Sequence, residues 1–254
     1  MSHHIVLKNV RIAKDTYLMT LNGEAAASCA PGQFIHLLVP DMPHLILRRP
    51  FSVNDVDIEN GTLDLVYKIV GEGTAALACV SPGEEIDALG PLGRGFALPE
   101  NGGRVWLCGG GMGAAPLLFA AKRLGGKASA FIGFENKDSV YQIEEFKKAC
   151  KSIYLSTDDG SADEKGNIIQ LLERELQKDA PDMILACGPL PMLKALKALL
   201  EGRNIPCQVS LEERMGCGVG ACLTCSCKSV KDGEWHYARV CRDGPVFDLM
   251  EVEL

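Results

Sequence analysis

Residues 217–228 of the chain read CGVGACLTCSCK, which places four cysteines among small residues and leaves almost no apolar bulk. A segment of this composition cannot form a hydrophobic core of its own, so a bound ligand must organise it. Cys217, Cys222 and Cys225 follow the spacing C-x4-C-x2-C, and Cys241 follows after fifteen further residues. Plant-type [2Fe–2S] sites use thiolates at this spacing, with a distant fourth cysteine. The pattern therefore favours an iron–sulfur cluster held by these four cysteines.

Two other interpretations of the cysteines stay open. Structural zinc prefers two C-x2–4-C pairs separated by a longer loop, whereas Cys241 has no neighbouring cysteine. The third interpretation is a set of core thiols without any metal. Cys227 follows Cys225 in the alternation of a strand that leaves the loop, so we predict that Cys227 is a buried cysteine outside the ligand set.

Glycine separates the cysteines at positions 216, 218 and 220. Glycine adopts positive φ at little steric cost, so these residues allow a tight loop. We expect the loop to direct backbone N–H groups towards the sulfur atoms, an arrangement that tunes a metal centre.

The composition limits the class of protein. The chain has 254 residues, a net charge of −7 and no run of Lys or Arg, which argues against nucleic-acid binding. It contains no apolar run of about 18 residues, so no membrane span is predicted. The N-terminus shows no signal-peptide pattern, and six of the eleven cysteines are scattered, so we expect a cytoplasmic protein with reduced thiols.

The hydrophobic pattern changes along the chain and predicts a multidomain protein. Short alternating segments within 1–99 predict an antiparallel β-barrel, although a sandwich has the same signature. The glycine- and proline-rich segment 82–104 is interpreted as the exit from it. Residues 100–205 alternate apolar strands with helical patterns, which predicts an α/β domain with a parallel sheet. Residues 206–254 form a small third domain with the cysteines.

The segment RRPFSV at 48–53 lies at a predicted strand. Arg49 offers a bidentate contact to a diphosphate, Phe51 an aromatic face and Ser52 a hydroxyl. An edge strand with a surface arginine would have the same sequence. Further along, Gly71, Gly73 and Thr74 precede a short predicted helix, where backbone amides favour an anion.

A glycine turn, CGGGMGAAP at 108–116, follows the predicted strand RVWL and opens a helix. Such a turn allows a phosphate to approach the helix N-terminus, although a packing role is also possible. Pro116 replaces the third glycine of the usual dinucleotide motif. Glu135 follows the next strand, where an acid often binds a ribose diol, and a solvated loop acid is an equally good interpretation. A later strand ends in Cys187-Gly188-Pro189 at the same sheet edge.

In combination these motifs resemble the ferredoxin–NADP⁺ reductase superfamily, although Phe51 stands where tyrosine is usual. The cysteine motif extends the resemblance, over the whole chain, to the electron-transfer subunits of type B dihydroorotate dehydrogenases. The resemblance implies FAD contacts at Arg49, Pro50, Phe51, Ser52, Val66, Tyr67, Lys68, Gly73 and Thr74. It implies NAD contacts at Gly109, Gly110, Gly111, Gly113, Glu135, Cys187, Gly188 and Pro189. The implied cluster ligands are Cys217, Cys222, Cys225 and Cys241.

The resemblance also implies a function within a larger enzyme. A catalytic subunit carrying FMN would oxidise dihydroorotate in pyrimidine (UMP) biosynthesis, and electrons would pass through [2Fe–2S] and FAD to NAD⁺. Two copies of each subunit would form a heterotetramer, and no side chain of this chain would act as a general acid or base. Asn136 and a single lysine, Lys137, follow Glu135, which favours NAD over NADP. The alternatives are a reductase subunit of a transhydrogenase or sulfide dehydrogenase, and a zinc-stabilised redox-sensing or binding protein.

Overall fold

The computed structural model describes residues 2–23, 25–99, 102–231 and 233–254. Its N-terminal half is a closed barrel with the strand order β1-β2-β5-β4-β3-β6, in which every pairing is antiparallel. The barrel prediction is therefore confirmed. The elements of this half are β1 (Ser2–Ala13), β2 (Thr16–Asn22), α1 (Ala25–Ser28), β3 (Phe34–Leu37), β4 (Arg49–Asp57), β5 (Thr62–Lys68), α2 (Glu72–Ala78) and β6 (Glu85–Leu92).

The strand β3 shows how alternation builds the barrel. Ile35 and Leu37 point inward to the barrel core. Phe34 points the other way and belongs to the hydrophobic core formed by the large sheet and the C-terminal region. The strand β6 closes the barrel by pairing with both β1 and β3. It lies in the segment 82–104 that the sequence analysis interpreted as an exit. That interpretation was wrong for 85–92, because the glycine and proline content hid the alternation of EIDALGPL.

The second half is built on a seven-stranded sheet with the order β10-β9-β8-β7-β11-β12-β15. Its pairings are parallel except that between β12 and β15, which confirms the predicted α/β architecture. The strands of this half are β7 (Val105–Gly110), β8 (Ala128–Phe134), β9 (Ser152–Thr157), β10 (Glu164–Lys165), β11 (Met183–Cys187), β12 (Cys207–Ser210), β13 (Ser226–Lys231), β14 (Glu234–Arg239) and β15 (Val246–Asp248). The helices are α3 (Ala114–Leu124), α4 (Ile143–Ala149), α5 (Ile168–Leu176) and α6 (Leu190–Leu200).

The central strand β7 is buried at every residue, as expected for a parallel strand covered on both faces. Its carboxyl end runs into the glycine turn, and the neighbouring strands β8 and β11 end at Phe134 and Cys187 beside it. The helix α4 is shorter than the predicted pattern from Val140 to Cys150. It begins at Ile143 because Gln142 has a left-handed φ of 53°.

The C-terminal region combines a β-hairpin with two strands of the large sheet. β13 and β14 pair with each other, while β12 and β15 extend the sheet beyond β11. The proposed third domain, 206–254, therefore shares a sheet with the second. The predicted boundary at residue 100 lies outside the described residues, and the domain limits remain a prediction. Within the described ranges, no helix combines the length and apolar character needed to cross a membrane.

Candidate functional site

The hairpin β13–β14 brings the distant cysteine to the loop. Ser226 pairs with Arg239 at its open end, which places Cys225 beside Cys241. The backbone N–H of Val240 donates to the Cys225 carbonyl at 2.9 Å, and that of Cys241 donates to Cys225 Sγ at 3.4 Å. Both side chains are almost fully buried. These two cysteines form a buried pair.

Cys217 and Cys222 form a second, more exposed pair in the loop before β13. Cys217 Sγ accepts hydrogen bonds from the amides of Val219, Ala221 and Cys222 at 3.2–3.5 Å. The Cys217 amide donates in turn to Cys222 Sγ at 3.4 Å. Hydrogen bonds from Thr224 lower the pKa of the Cys222 thiol to about 6. The loop thus turns its N–H groups towards sulfur, as the sequence predicted.

Glycine is needed at the three loop positions for different structural reasons. Gly218 and Gly220 adopt positive φ of 73° and 83°, as expected. Gly216 does not adopt positive φ, and the expectation was wrong there. A Cβ at Gly216 would lie 3.1 Å from Cys222 Sγ, so close approach to the thiol explains this glycine instead.

The four cysteines are arranged as two pairs. Among the described residues, no set of three or more His, Cys, Asp and Glu side chains is grouped to hold a metal ion. A [2Fe–2S] cluster takes four thiolates, and each of the two cysteine pairs offers thiol sulfur with backbone amides donating to it, which is the chemistry that such a cluster needs. Cys227 lies on β13 opposite Ala238, where it is buried and its pKa is raised by burial to about 11. Its predicted absence from the ligand set stays a prediction.

The RPFS segment opens β4 and borders a cavity of about 270 Å³ between the barrel and the C-terminal region. Of the residues predicted to contact FAD, seven line this cavity: Pro50, Phe51, Ser52, Val66, Tyr67, Lys68 and Thr74. The Phe51 ring packs 5.3 Å from that of Tyr67, whose hydroxyl donates to Asn9 Oδ1. The cavity therefore has an aromatic and apolar wall, as an isoalloxazine ring requires.

Arg49 and Gly73 lie beside the cavity and contact each other. A Cβ at Gly73 would lie 2.8 Å from Arg49 Nε, so the glycine leaves room for the guanidinium beside the first turn of α2. Thr74 Oγ1 accepts from the amides of Val70 and Gly71 and donates to the Gly71 carbonyl, which fixes this turn. A guanidinium beside backbone amides suits a diphosphate. The residues therefore fit FAD.

A second cavity, of about 420 Å³, lies at the carboxyl edge of the sheet. Of the predicted NAD contacts, Gly110, Gly111, Glu135 and Pro189 line it. Gly109, Gly113, Cys187 and Gly188 are not among its lining residues. A Cβ at Gly113 would overlap the Cys187 carbonyl, so the glycine turn packs directly on the end of β11. The turn therefore has a packing role and also borders a ligand-sized cavity.

The two cavities meet at Lys68 and Met112, which line both of them. Residues from β5 and from the glycine turn thus form a common wall. Since a hydride is transferred only between groups in contact, adjoining cavities meet a basic requirement for flavin–nicotinamide chemistry.

The part of the flavin cavity that comes from the C-terminal region was not predicted from the sequence. These residues are Ser210, Leu211, Glu212, Glu213, Met215 and Pro245. Glu212 is open to the cavity, and burial by the surrounding protein raises the pKa of its carboxyl. The only sequence signal was position, since LEERM lies between β12 and Cys217.

Comparisons with known proteins agree with this geometry. The family described as the iron–sulfur cluster binding domain of dihydroorotate dehydrogenase B matches residues 212–253. The oxidoreductase FAD-binding domain family matches residues 3–96. A solved structure of an NADH-dependent reduced ferredoxin–NADP oxidoreductase has 30% identity and a TM-score of 0.86, with 100% of this chain and 90% of that chain covered. The ferredoxin reductase in carbazole 1,9a-dioxygenase shares the fold, with 20% identity, a TM-score of 0.69, and 80% and 66% coverage.

Two curated relatives cover nearly the whole chain, and both are named dihydroorotate dehydrogenase B (NAD(+)), electron transfer subunit. The protein of Geobacillus thermodenitrificans is 44% identical, with 98% of this chain and 97% of its own length covered. The protein of Fusobacterium nucleatum subsp. nucleatum is 42% identical, with the same coverage. Since barrel, sheet and cysteine pairs all lie within these matches, the chain belongs to the family of dihydroorotate dehydrogenase B electron-transfer subunits.

Proposed function

We propose that this chain passes electrons from an FMN-containing dihydroorotate dehydrogenase subunit through [2Fe–2S] and FAD to NAD⁺, in the biosynthesis of pyrimidines (UMP). The observation that carries the proposal is the arrangement of three sites in one chain. The cysteine loop, residues 212–225, contacts the barrel where Gly218 packs against His36, and its first residues line the flavin cavity. The second cavity shares Lys68 and Met112 with the first. When bound, a flavin exchanges one electron or two, so it can connect a one-electron cluster with a nicotinamide.

Each group of residues has a defined role in this proposal. Cys217, Cys222, Cys225 and Cys241 hold the cluster, while Arg49 binds the diphosphate of FAD. Phe51 and Tyr67 support the flavin ring. Gly110 and Gly111 let NAD approach the sheet edge. None of these residues needs to transfer a proton to dihydroorotate, because that chemistry belongs to the partner.

The partner is proposed to dock where the cysteine loop is exposed. Val219 and Leu223 lie within three residues of Cys222 in the chain, and the two residues are 47% and 61% exposed. Apolar side chains beside an exposed thiol pair suit a contact surface through which electrons pass. We expect two copies of each subunit in the complex and a cytoplasmic location. The latter is supported by eleven cysteines that are all free.

The test is reconstitution with the catalytic subunit. The purified complex should contain FMN, FAD, iron and sulfide, and should reduce NAD⁺ when dihydroorotate is added, as measured by NADH absorbance. The catalytic subunit alone should oxidise dihydroorotate with an artificial acceptor and should fail with NAD⁺. Native mass spectrometry would give the stoichiometry. A chain that holds zinc and no flavin would contradict the proposal.

The transhydrogenase-type alternative has one observation in its favour, the similarity to the NADH-dependent ferredoxin–NADP oxidoreductase structure. The higher identity to the dihydroorotate dehydrogenase relatives favours the first proposal. Nicotinamide preference separates them further. We propose NAD(H), because Glu135 faces the cavity where a 2′-phosphate would be repelled. Comparable kcat/KM for NADH and NADPH would contradict this preference.

A further inference from the structure

His36 lies between the flavin barrel and the cysteine loop and has no role in the function described so far. It is on β3, whose inner face carries Ile35 and Leu37. The side chain of His36 therefore points out of the barrel, on the same face as Phe34. The two rings make an edge contact, with centroids 6.1 Å apart.

The imidazole of His36 is in direct contact with the cysteine loop. A Cβ at Gly218 would lie 2.5 Å from His36 Nδ1, so the ring occupies the space that the absent side chain leaves. Gly218 directly follows Cys217. The contact thus explains why this loop position needs glycine for close approach as well as for its positive φ.

His36 is fully buried, and both of its ring nitrogens lack a hydrogen-bond partner among the described residues. Burial and the charges of Arg48 and Arg49 lower its pKa to about 4, so the ring is neutral at pH 7. A neutral imidazole keeps one N–H donor. Buried donors in native proteins nearly always have partners, so this donor points to an acceptor other than the protein groups described.

The surroundings of His36 identify the kind of acceptor. Arg48 does not bond to the ring, because its guanidinium pairs with Asp87 at 2.6 Å and donates to the Asp87 carbonyl at 3.1 Å. On the loop side, three amides already point at Cys217 Sγ, which marks a centre of negative charge there. His36 Nδ1 lies against Gly218, the residue that directly follows Cys217 in the chain.

The register of the barrel places His36 next to the flavin cavity as well. His36 pairs with Pro50 and Phe34 pairs with Ser52 on β4, and directly opposed side chains share a face of the sheet. Pro50, Ser52 and Phe34 line the flavin cavity. His36 therefore lies one strand away from the RPFS segment and touches the cluster loop.

We propose that His36 is a positioning residue that donates a hydrogen bond from an imidazole N–H to a sulfur at the Cys217 end of the cluster. This inference rests on the proposed function, since it requires the cluster. Hydrogen bonds to sulfur stabilise the more negative, reduced state of an iron–sulfur cluster and so raise its reduction potential. His36 thereby favours electron transfer onto the cluster and keeps the loop against the flavin barrel.

The experiment is a redox titration of the complete complex, followed by the EPR signal of the reduced [2Fe–2S] cluster. His36→Leu removes the donor and should lower the cluster potential. At a fixed ambient potential the ratio of reduced to oxidised cluster should fall at least tenfold, which is about 59 mV for one electron. His36→Asn and His36→Gln place an amide N–H near the Nδ1 and Nε2 positions, and at least one of them should restore the potential. His3→Leu is the control, since its side chain is 70% exposed and its Nδ1 lies 3.7 Å from Glu85 Oε2.

A second measurement does not depend on the stability of the variants. The unsubstituted chain, labelled with ¹⁵N-histidine and combined with unlabelled catalytic subunit, should show a ¹⁵N coupling to the reduced cluster in pulsed EPR. A cluster with intact iron and sulfide, an unchanged potential in His36→Leu and no ¹⁵N coupling would overturn the inference alone. A purified chain without any [2Fe–2S] signal would overturn the proposed function.

Discussion

The cysteine loop and the junction between barrel and sheet are both essential to the proposed electron path, and they are stabilised in different ways. The loop is held by backbone amides that donate to sulfur and by glycines that permit close contacts. The junction is held by side chains. Asn54 on β4, fully buried, donates to the Ala115 carbonyl at 2.9 Å and exchanges two hydrogen bonds with Gln142.

The junction also contains an ordinary hydrophobic contact. Phe119 of α3 is buried in the barrel core, and Lys122 of the same helix forms an ion pair with Asp55. The junction therefore has its own packing energy, whereas the loop has little apolar surface to bury. We therefore expect loss of the cluster to disturb the loop and to leave the junction intact.

The largest expected effect is loss of the cluster after substitution of a ligand. Cys217→Ser, Cys222→Ser, Cys225→Ser and Cys241→Ser should each abolish or severely perturb the visible absorbance and EPR signal of the cluster, because each removes one of four thiolates. Flavin content should fall less than iron and sulfide content, since the barrel supplies most of the predicted FAD contacts, whereas only Glu212, Glu213 and Met215 of the cavity wall belong to the disturbed loop. The measurement is iron, sulfide and FAD content after purification.

Cys227→Ser is the matched control for these variants. It lies two residues after Cys225 and is buried on β13, and it should retain the cluster. Loss of the cluster in Cys227→Ser together with its retention in Cys241→Ser would show that the ligand assignment is wrong.

Chelation of the iron should separate the two regions directly. In hydrogen exchange, amides of the cysteine loop, residues 212–225, should lose protection when the cluster is removed. Their donors then bond only to free thiols, which are weak acceptors. Amides of α3 and β4 should exchange at unchanged rates. Equal loss of protection in α3 would contradict the claim that the junction is stable without the cluster.

The sequence predicted the parts of the site that depend on spacing and residue type. C-x4-C-x2-C with Cys241 indicated the thiol pairs, and RPFS with the glycine turn indicated the two cavities. Each of these motifs is local, so neighbouring residues in the chain carry its chemistry. The barrel and the parallel sheet followed from the change of hydrophobic period near Arg104.

The contacts between distant segments could not be predicted in the same way. In the sequence, His36 is one residue of the apolar strand FIHL, and only the folded chain brings it against Gly218. Glu212 and Asn54 likewise acquire their surroundings from segments far away in sequence. Strand β6 was missed because its glycine and proline resemble a turn, whereas pairing with β1 and β3 overrides that local preference.

Substitution of Asn54 should weaken the junction by a moderate amount. Asn54→Ala leaves the buried Ala115 carbonyl and the Gln142 amide without partners, and we expect a loss of about 1–3 kcal/mol in the free energy of unfolding. The control is Lys122→Ala, which breaks a partly exposed ion pair and should cost about 0–1 kcal/mol. Urea unfolding at pH 7 measures both. Equal costs would mean that the buried amides contribute no more than the exposed pair.

The smallest expected effect is a pH dependence caused by Glu212 at the edge of the cysteine loop. Glu212 is exposed at the cavity surface, and desolvation by the protein around the cavity raises the pKa of its carboxyl above the ordinary 4.5, so the folded chain holds this proton more tightly than the unfolded chain does. Its contribution to stability is therefore fully present below about 4.5 and is lost as the pH rises through the folded pKa. Glu212→Gln cannot ionise and avoids this loss. Urea unfolding of the flavin-free chains at several pH values should show that the variant gains stability relative to the unsubstituted chain as the pH is raised above 4.5. If the advantage of Glu212→Gln in free energy of unfolding became smaller as the pH rises, the prediction would be wrong, and the carboxylate would be stabilised in the cavity.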